Sequence, residues 1–119
     1  MQIRSFNINL TSEDPERLAR FYRDVLQLPV DAEMGEAAFV VAGGQILIDG
    51  HSETSGKAKE PQRVLINFFV EDLAAEQERL EAQGVPFIRS KGKEFWGGTI
   101  STFTDPDGNY LQLLEFHPA

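Results

Sequence analysis

The chain has 119 residues, 41% apolar and 25% charged, which is enough for one domain with a modest core. It has no cysteine, excluding disulfides and thiolate metal sites, and no apolar run near the roughly 20 residues of a membrane span. A net charge of −8 argues against a nucleic-acid surface, which needs a basic patch; it favours solubility or the attraction of a cationic ligand.

Met1-Gln2-Ile3-Arg4 runs into a strand-like segment with no signal-peptide core, so a cytoplasmic location is expected. Ile3 to Leu10 alternates, with Phe6, Ile8 and Leu10 on one face and Ser5, Asn7 and Asn9 on the other. Asp14 is a candidate N-cap with Pro15 at the first helical position, and Leu18, Phe21, Tyr22, Val25 and Leu26 follow at helical spacing. The helix is expected over Asp14–Leu26, with Pro29 blocking its continuation. Short strands are expected near Val30, over Ala37–Ala42 and, after a Gly43-Gly44 turn, over Gln45–Asp49. Gly50 to Gln62 is polar and aperiodic and reads as a linker.

The pattern then restarts. Val64–Val70 is strand-like, Glu71-Asp72 caps a helix to about Ala82, and Gly84 ends it. Val85-Pro86-Phe87-Ile88 matches Leu28-Pro29-Val30, and Lys91-Gly92-Lys93-Glu94 reads as a solvated loop. A strand over Thr99–Phe103, the turn Asp105-Pro106-Asp107-Gly108-Asn109 and the strand Tyr110–Glu115 form a tight hairpin. In that turn Pro106 sets φ, Asp107 can bond its own backbone and Gly108 supplies a positive φ. The whole is an internal β-α-β-β-β repeat, of roughly 55 residues per half. The expected class is α+β, with module one over 1–50, a linker over 51–62 and module two over 63–119 of a single domain.

Trp96-Gly97, a strand, Asp105-Pro106-Asp107-Gly108-Asn109 and the closing Leu111-x-Leu113 strand together resemble the end of a vicinal oxygen chelate domain. That superfamily includes glyoxalases, bleomycin-resistance proteins and extradiol dioxygenases. The resemblance covers nearly the whole chain, and implies a mixed sheet curled around a cleft with helices outside. Metal-dependent members place His, Gln or Glu on four strands. Carried over, those positions are Asn7, Leu47, Leu65 and Gln112. Leucine has no donor atom and neutral amides are poor ligands for a first-row metal. A two-residue slip brings in only Asp49, while His51 and His117 fall in the linker and near the C-terminus. No metal, no cofactor and no catalytic residue are therefore assigned.

Alternation places Ser5, Asn7, Asn9, Leu47, Asp49, Leu65, Asn67, Phe69, Tyr110, Gln112 and Leu114 along the cleft. An apolar and aromatic lining with sparse amides suits a small organic ligand. The ligand-binding set expected is Asn7, Asn9, Leu47, Asp49, Leu65, Asn67, Phe69, Trp96, Tyr110 and Gln112. Asn7, Asn67 and Gln112 either meet the ligand or pair with one another or water, and Trp96 is either a core plug or a lid that stacks on the ligand. No G-x-S-x-G and no phosphate-cradling loop occurs, which leaves Asp49, Tyr110 and Glu115 as lone acid–base groups. The expected function is metal-free sequestration of a planar aromatic, cationic compound, similar to the antibiotic-sequestering branch, in a homodimer with no nucleic-acid or membrane partner. The alternatives are a metal-dependent lyase, isomerase or dioxygenase, and a small interaction module.

Overall fold

The structure is a computed structural model that describes residues 1–118. The chain forms two compact units, Met1–Gly56 and the segment from Lys57 onward. Each is an α+β unit built in the order β-α-β-β-β, with a mixed four-stranded sheet.

The first unit contains β1 (Ile8–Thr11), α1 (Pro15–Arg20), β2 (Val30–Asp31), β3 (Gly35–Val41) and β4 (Gly44–Asp49). The sheet order is β1-β4-β3-β2, with β1 parallel to β4. Asp14 caps α1 by accepting the Arg17 N–H at 3.2 Å, and Pro15 occupies the first turn. The helix continues as a π-helical turn, Phe21–Val25, marked by the Leu26 N–H donating to the Phe21 carbonyl. Gln27, at φ 61°, and then Pro29 stop it. Leu18 and Tyr22 of the predicted stripe are fully buried, and the Tyr22 ring packs 6.4 Å from Phe39 of β3.

β1 is shorter than the alternation of Ile3–Leu10 suggests. The parallel register pairs Ile8 with Ile46, so Phe6 falls opposite Gly44, where β4 begins, and the ladder has no partner further back. Ile3 and Phe6 are exposed instead of packed beneath the sheet.

The β3–β4 turn uses Ala42 at φ 47° and Gly43 at φ 86°, with Val41 paired to Gly44. Two central residues at positive φ make a type I′ turn, which asparagine tolerates and alanine does not. Ala42→Asn is expected to raise unfolding stability by about 1 kcal/mol, read in urea titrations. An unchanged midpoint would show that the turn relaxes without strain.

The second unit contains β5 (Ile66–Phe69), α2 (Leu73–Ala82), β6 (Phe87–Lys93), β7 (Thr99–Thr104) and β8 (Tyr110–Glu115), after a 3-10 turn at Pro61–Arg63. Its sheet order, β5-β8-β7-β6 with β5 parallel to β8, repeats that of the first unit. Asp72 accepts the Ala75 N–H and Glu115 accepts the Leu73 N–H at 2.7 Å, so two carboxylates sit on the first turn of α2. At the other end Gly84, at φ 83°, donates to the Glu81 carbonyl and Val85 donates to Leu80, closing a Schellman cap over buried Leu80 and Val85. Buried Gln77 donates to the Ser90 hydroxyl and accepts the Lys91 N–H, tying α2 to β6. Lys91, Gly92 and Lys93 thus belong to a strand and not to the expected loop.

The hairpin turn between β7 and β8 is organised by Asp105, where Asp107 was expected to bond its own backbone. The Asp105 carboxylate accepts the N–H groups of Asp107 and Asn109 and the Asn109 side-chain amide, at 2.8 to 3.0 Å. Gly108 at φ 81° closes the turn by donating to the Asp105 carbonyl. Asp105 comes first because its carboxylate precedes the N–H groups that it must cap. Among the described residues no helix is long and apolar enough to cross a membrane.

Candidate functional site

In the second unit, strand register aligns one residue from each strand. Asn67 of β5 stands opposite Gln112 of β8, Gln112 opposite Thr102 of β7, and Thr102 opposite Arg89 of β6. Directly paired residues share a face. Ser90 reaches α2 through Gln77, so Arg89 beside it projects from the face away from the helix. The Thr102 hydroxyl donates to Gln112 Oε1 at 3.0 Å, and Gln112 Nε2 donates to Asn67 Oδ1 at 2.9 Å. A polar row therefore crosses all four strands. Leu65, which immediately precedes β5, and Phe69, Tyr110, Ile100 and Leu114 lie on the same face, two residues from the row along their strands. Phe69 is 70% exposed.

The first unit presents a comparable face. Asn9, Leu47 and Asp49 share it, with Asn9 Nδ2 at 3.5 Å from Asp49 Oδ2. Asn7, one residue before β1, donates to Gln45 Oε1 at 3.4 Å, and Gln45 donates to Asp31 at 2.8 Å. Ile46, Ile48 and Phe39 fill the opposite, helix-facing side. The expected amide set is thus engaged within the chain on each face, and a charged residue stands on each: Asp49 on one, Arg89 on the other.

Trp96 makes its contacts at its own turn, with Gly98 and Phe116. It lies in the turn after β6, where the Glu94 N–H donates to the Gly98 carbonyl at 2.7 Å and the Gly97 N–H to the Glu94 carbonyl. Its ring lies on Gly98 and contacts Phe116 at 5.5 Å. Its ring partner is Phe116, not Phe69 or Tyr110, and its neighbour Phe95 is 99% exposed.

The positions that the resemblance carries over as metal ligands do not fit a metal here. Leu47 and Leu65 carry no donor atom, and both polar atoms of Gln112 are engaged in the row. Among the described residues no three His, Cys, Asp or Glu side chains converge to hold a metal ion. His51 Nδ1 accepts the Glu53 N–H in the linker, and His117 Nε2 lies 3.3 Å from Glu115 Oε2. Glu115, a candidate acid–base group by sequence, is held on the α2 terminus.

A separate concavity of about 280 Å³ opens on the helical side of the first unit, lined by Pro15, Glu16, Ala19, Arg23, Glu36 and Ala37. Asp24, hydrogen-bonded to Arg23 at 3.0 Å, holds that guanidinium above its already high ordinary pKa. None of the expected site residues reaches this groove.

Arg89 is the polar residue that sequence reading missed. Its side chain is partly exposed, bonded through Nη1 to Glu94 Oε1 at 2.8 Å, and its guanidinium occupies the space above Gly92, where a Cβ would come within 3.0 Å of Nη2.

A family model described as Glyoxalase/Bleomycin resistance protein/Dioxygenase superfamily matches residues 4–113. Among solved structures, a protein of unknown function from Agrobacterium tumefaciens str. C58 is similar at TM-score 0.76 and 26% identity, covering 98% of this chain and 97% of its own. Lactoylglutathione lyase from Agrobacterium tumefaciens is similar at TM-score 0.70 and 21% identity, over 97% and 96% of the two chains. A superfamily member from Sphaerobacter thermophilus DSM 20745 is similar at TM-score 0.68 and 21% identity, over 98% of each. A search of curated proteins finds no match.

Proposed function

The chain belongs to the Glyoxalase/Bleomycin resistance protein/Dioxygenase superfamily, and from that premise we propose that it binds a planar aromatic small molecule without a metal, sequestering it unchanged. The observation that supports this is the face of β5, β8 and β7. Hydrogen-bonded Asn67, Gln112 and Thr102 lie there beside exposed Phe69 and the apolar Leu65 and Ile100. A pre-paired polar row is rigid and orients a ligand, and an aromatic contact beside it adds about 1 kcal/mol beyond area burial. The donorless Leu47 and Leu65 support binding over the Lewis-acid chemistry of metal-dependent relatives. Net charge favours a cation in general, but Asp49 and Arg89 offer opposite charges on the two faces, so ligand charge is a matter of which face is used.

The test is a thermal-shift and calorimetric screen of planar aromatics, with elemental analysis of the purified protein. Saturable binding, weakened about tenfold by Phe69→Ala with the fold intact, is expected. One equivalent of tightly held divalent metal would favour a metal-dependent lyase, isomerase or dioxygenase instead. A homodimer is part of the same proposal. The uncharged β5 edge, with Phe69 exposed at its end and Val64 exposed just before its start, supports pairing with a second copy, and light scattering measures it.

A further inference from the structure

We infer that the ligand carries a carboxylate, and that Arg89 is the residue that receives it. This rests on the binding reading above and names the chemical class of its ligand. The polar row has a direction. Thr102 donates to Gln112 and Gln112 donates to Asn67, so the amide oxygens of both Gln112 and Asn67 are engaged inside the row. What remains at its ends are donors: the Asn67 Nδ2 group on β5 and the Arg89 guanidinium on β6. A face that ends in donors is complementary to an acceptor-rich ligand. The full positive charge at one end selects an anion there. A guanidinium has five N–H groups in a planar fork that fits a carboxylate with two parallel bonds. Arg89 uses Nη1 on Glu94, and its Nε and Nη2 have no hydrogen-bond partner among the described residues.

The neighbourhood holds the guanidinium on this face. Gly92 pairs with Ile100 of β7, and its missing side chain is the space in which the guanidinium lies. Any larger residue at that position would push the fork away. Four adjacent strands set about 14 Å between the ends of the row, long enough for a bicyclic aromatic acid to lie along the amides with its carboxylate at Arg89. A pair at 2.8 Å between half-exposed Arg89 and Glu94 contributes little to stability, so closing the hairpin is a weak reason for a guanidinium here. Glu94 instead competes with the ligand for the fork.

The experiment is calorimetric titration of the full chain with 2-naphthoate, its neutral isostere 2-naphthamide and the cation 2-naphthylmethylammonium, at low ionic strength. Naphthoate is expected to bind about tenfold tighter than naphthamide. Arg89→Met should remove that preference, so that acid and amide bind the variant with equal affinity. Glu94→Gln, which removes the competing carboxylate without touching Arg89, should strengthen naphthoate several-fold, and it carries the test if Arg89→Met fails to fold. Equal affinity for acid and amide, tighter binding of the cation, or an acid preference that survives Arg89→Met would overturn the assignment. If the three compounds bind equally and Phe69→Ala weakens them all, the binding reading stands and the carboxylate assignment falls. If none binds, both fall.

Discussion

Asp105→Ala is expected to lower the unfolding free energy by about 3–4 kcal/mol, the combined effect of losing a charged acceptor for three donors. The carboxylate receives two backbone N–H groups and one side-chain amide, and Asp105 is only 5% exposed, so water does not replace it. Asp105→Asn keeps one oxygen for the Asp107 and Asn109 N–H groups but turns a donor toward the Asn109 amide. Roughly half the loss is expected from it. The turn also fixes the β7–β8 register that brings Thr102 opposite Gln112, so the damage should reach the polar row. Urea unfolding of both variants measures this. A loss below about 1 kcal/mol for Asp105→Ala would mean that Pro106 and Gly108 hold the turn through backbone conformation alone.

The sequence made the repeat legible because its punctuation is repeated. Asp14 and Asp72 cap the two helices, and each half then runs through three strands, so the element order of both units follows from caps, prolines and alternation. Asn9, Leu47, Asp49, Asn67, Phe69, Tyr110 and Gln112 also fall on the faces that alternation predicts, because their strands are regular. Arg89 was not legible for the opposite reason. Strict alternation in β6 puts Arg89 on the side of Phe87, whose ring packs on Phe103 in the core. The register shifts between Phe87 and Arg89 and again before Gly92, and the extra residue turns Arg89 to the other face. A bulge leaves no periodic signal, and the Lys-Gly-Lys sequence after it looks like a loop. The unpaired start of β1 was hidden similarly: alternation says which face a residue prefers, not whether a partner strand extends far enough to pair with it. Composition leaves the place of Trp96 open between plug and lid, because its ring packs against Phe116 and depends on a contact with Gly98 that composition does not reveal.

That contact sets the second large effect. A Cβ on residue 98 would lie 1.9 Å from Cζ3 and 2.1 Å from Cη2 of Trp96, so Gly98→Ala and the present ring position are mutually exclusive. The backbone cannot give easily, because the Gly98 carbonyl accepts the Glu94 N–H at 2.7 Å and β7 begins at the next residue. The ring must leave, which breaks its contact with Phe116 and opens the turn. A stability loss of about 1–3 kcal/mol is expected, with a further red shift of tryptophan emission as the indole, already 39% exposed, leaves Phe116 for water. Trp96 is the sole tryptophan, so the spectrum reports this site alone. Affinity for planar aromatics should be unchanged, because the ring packs on Gly98 and Phe116 and makes no ring contact with Phe69 or Tyr110. A variant that keeps its emission spectrum would show that the strand moves instead. A variant that loses aromatic binding while remaining folded would make Trp96 a lid, and would extend the ligand face from the polar row to the turn that carries Phe95 and Trp96.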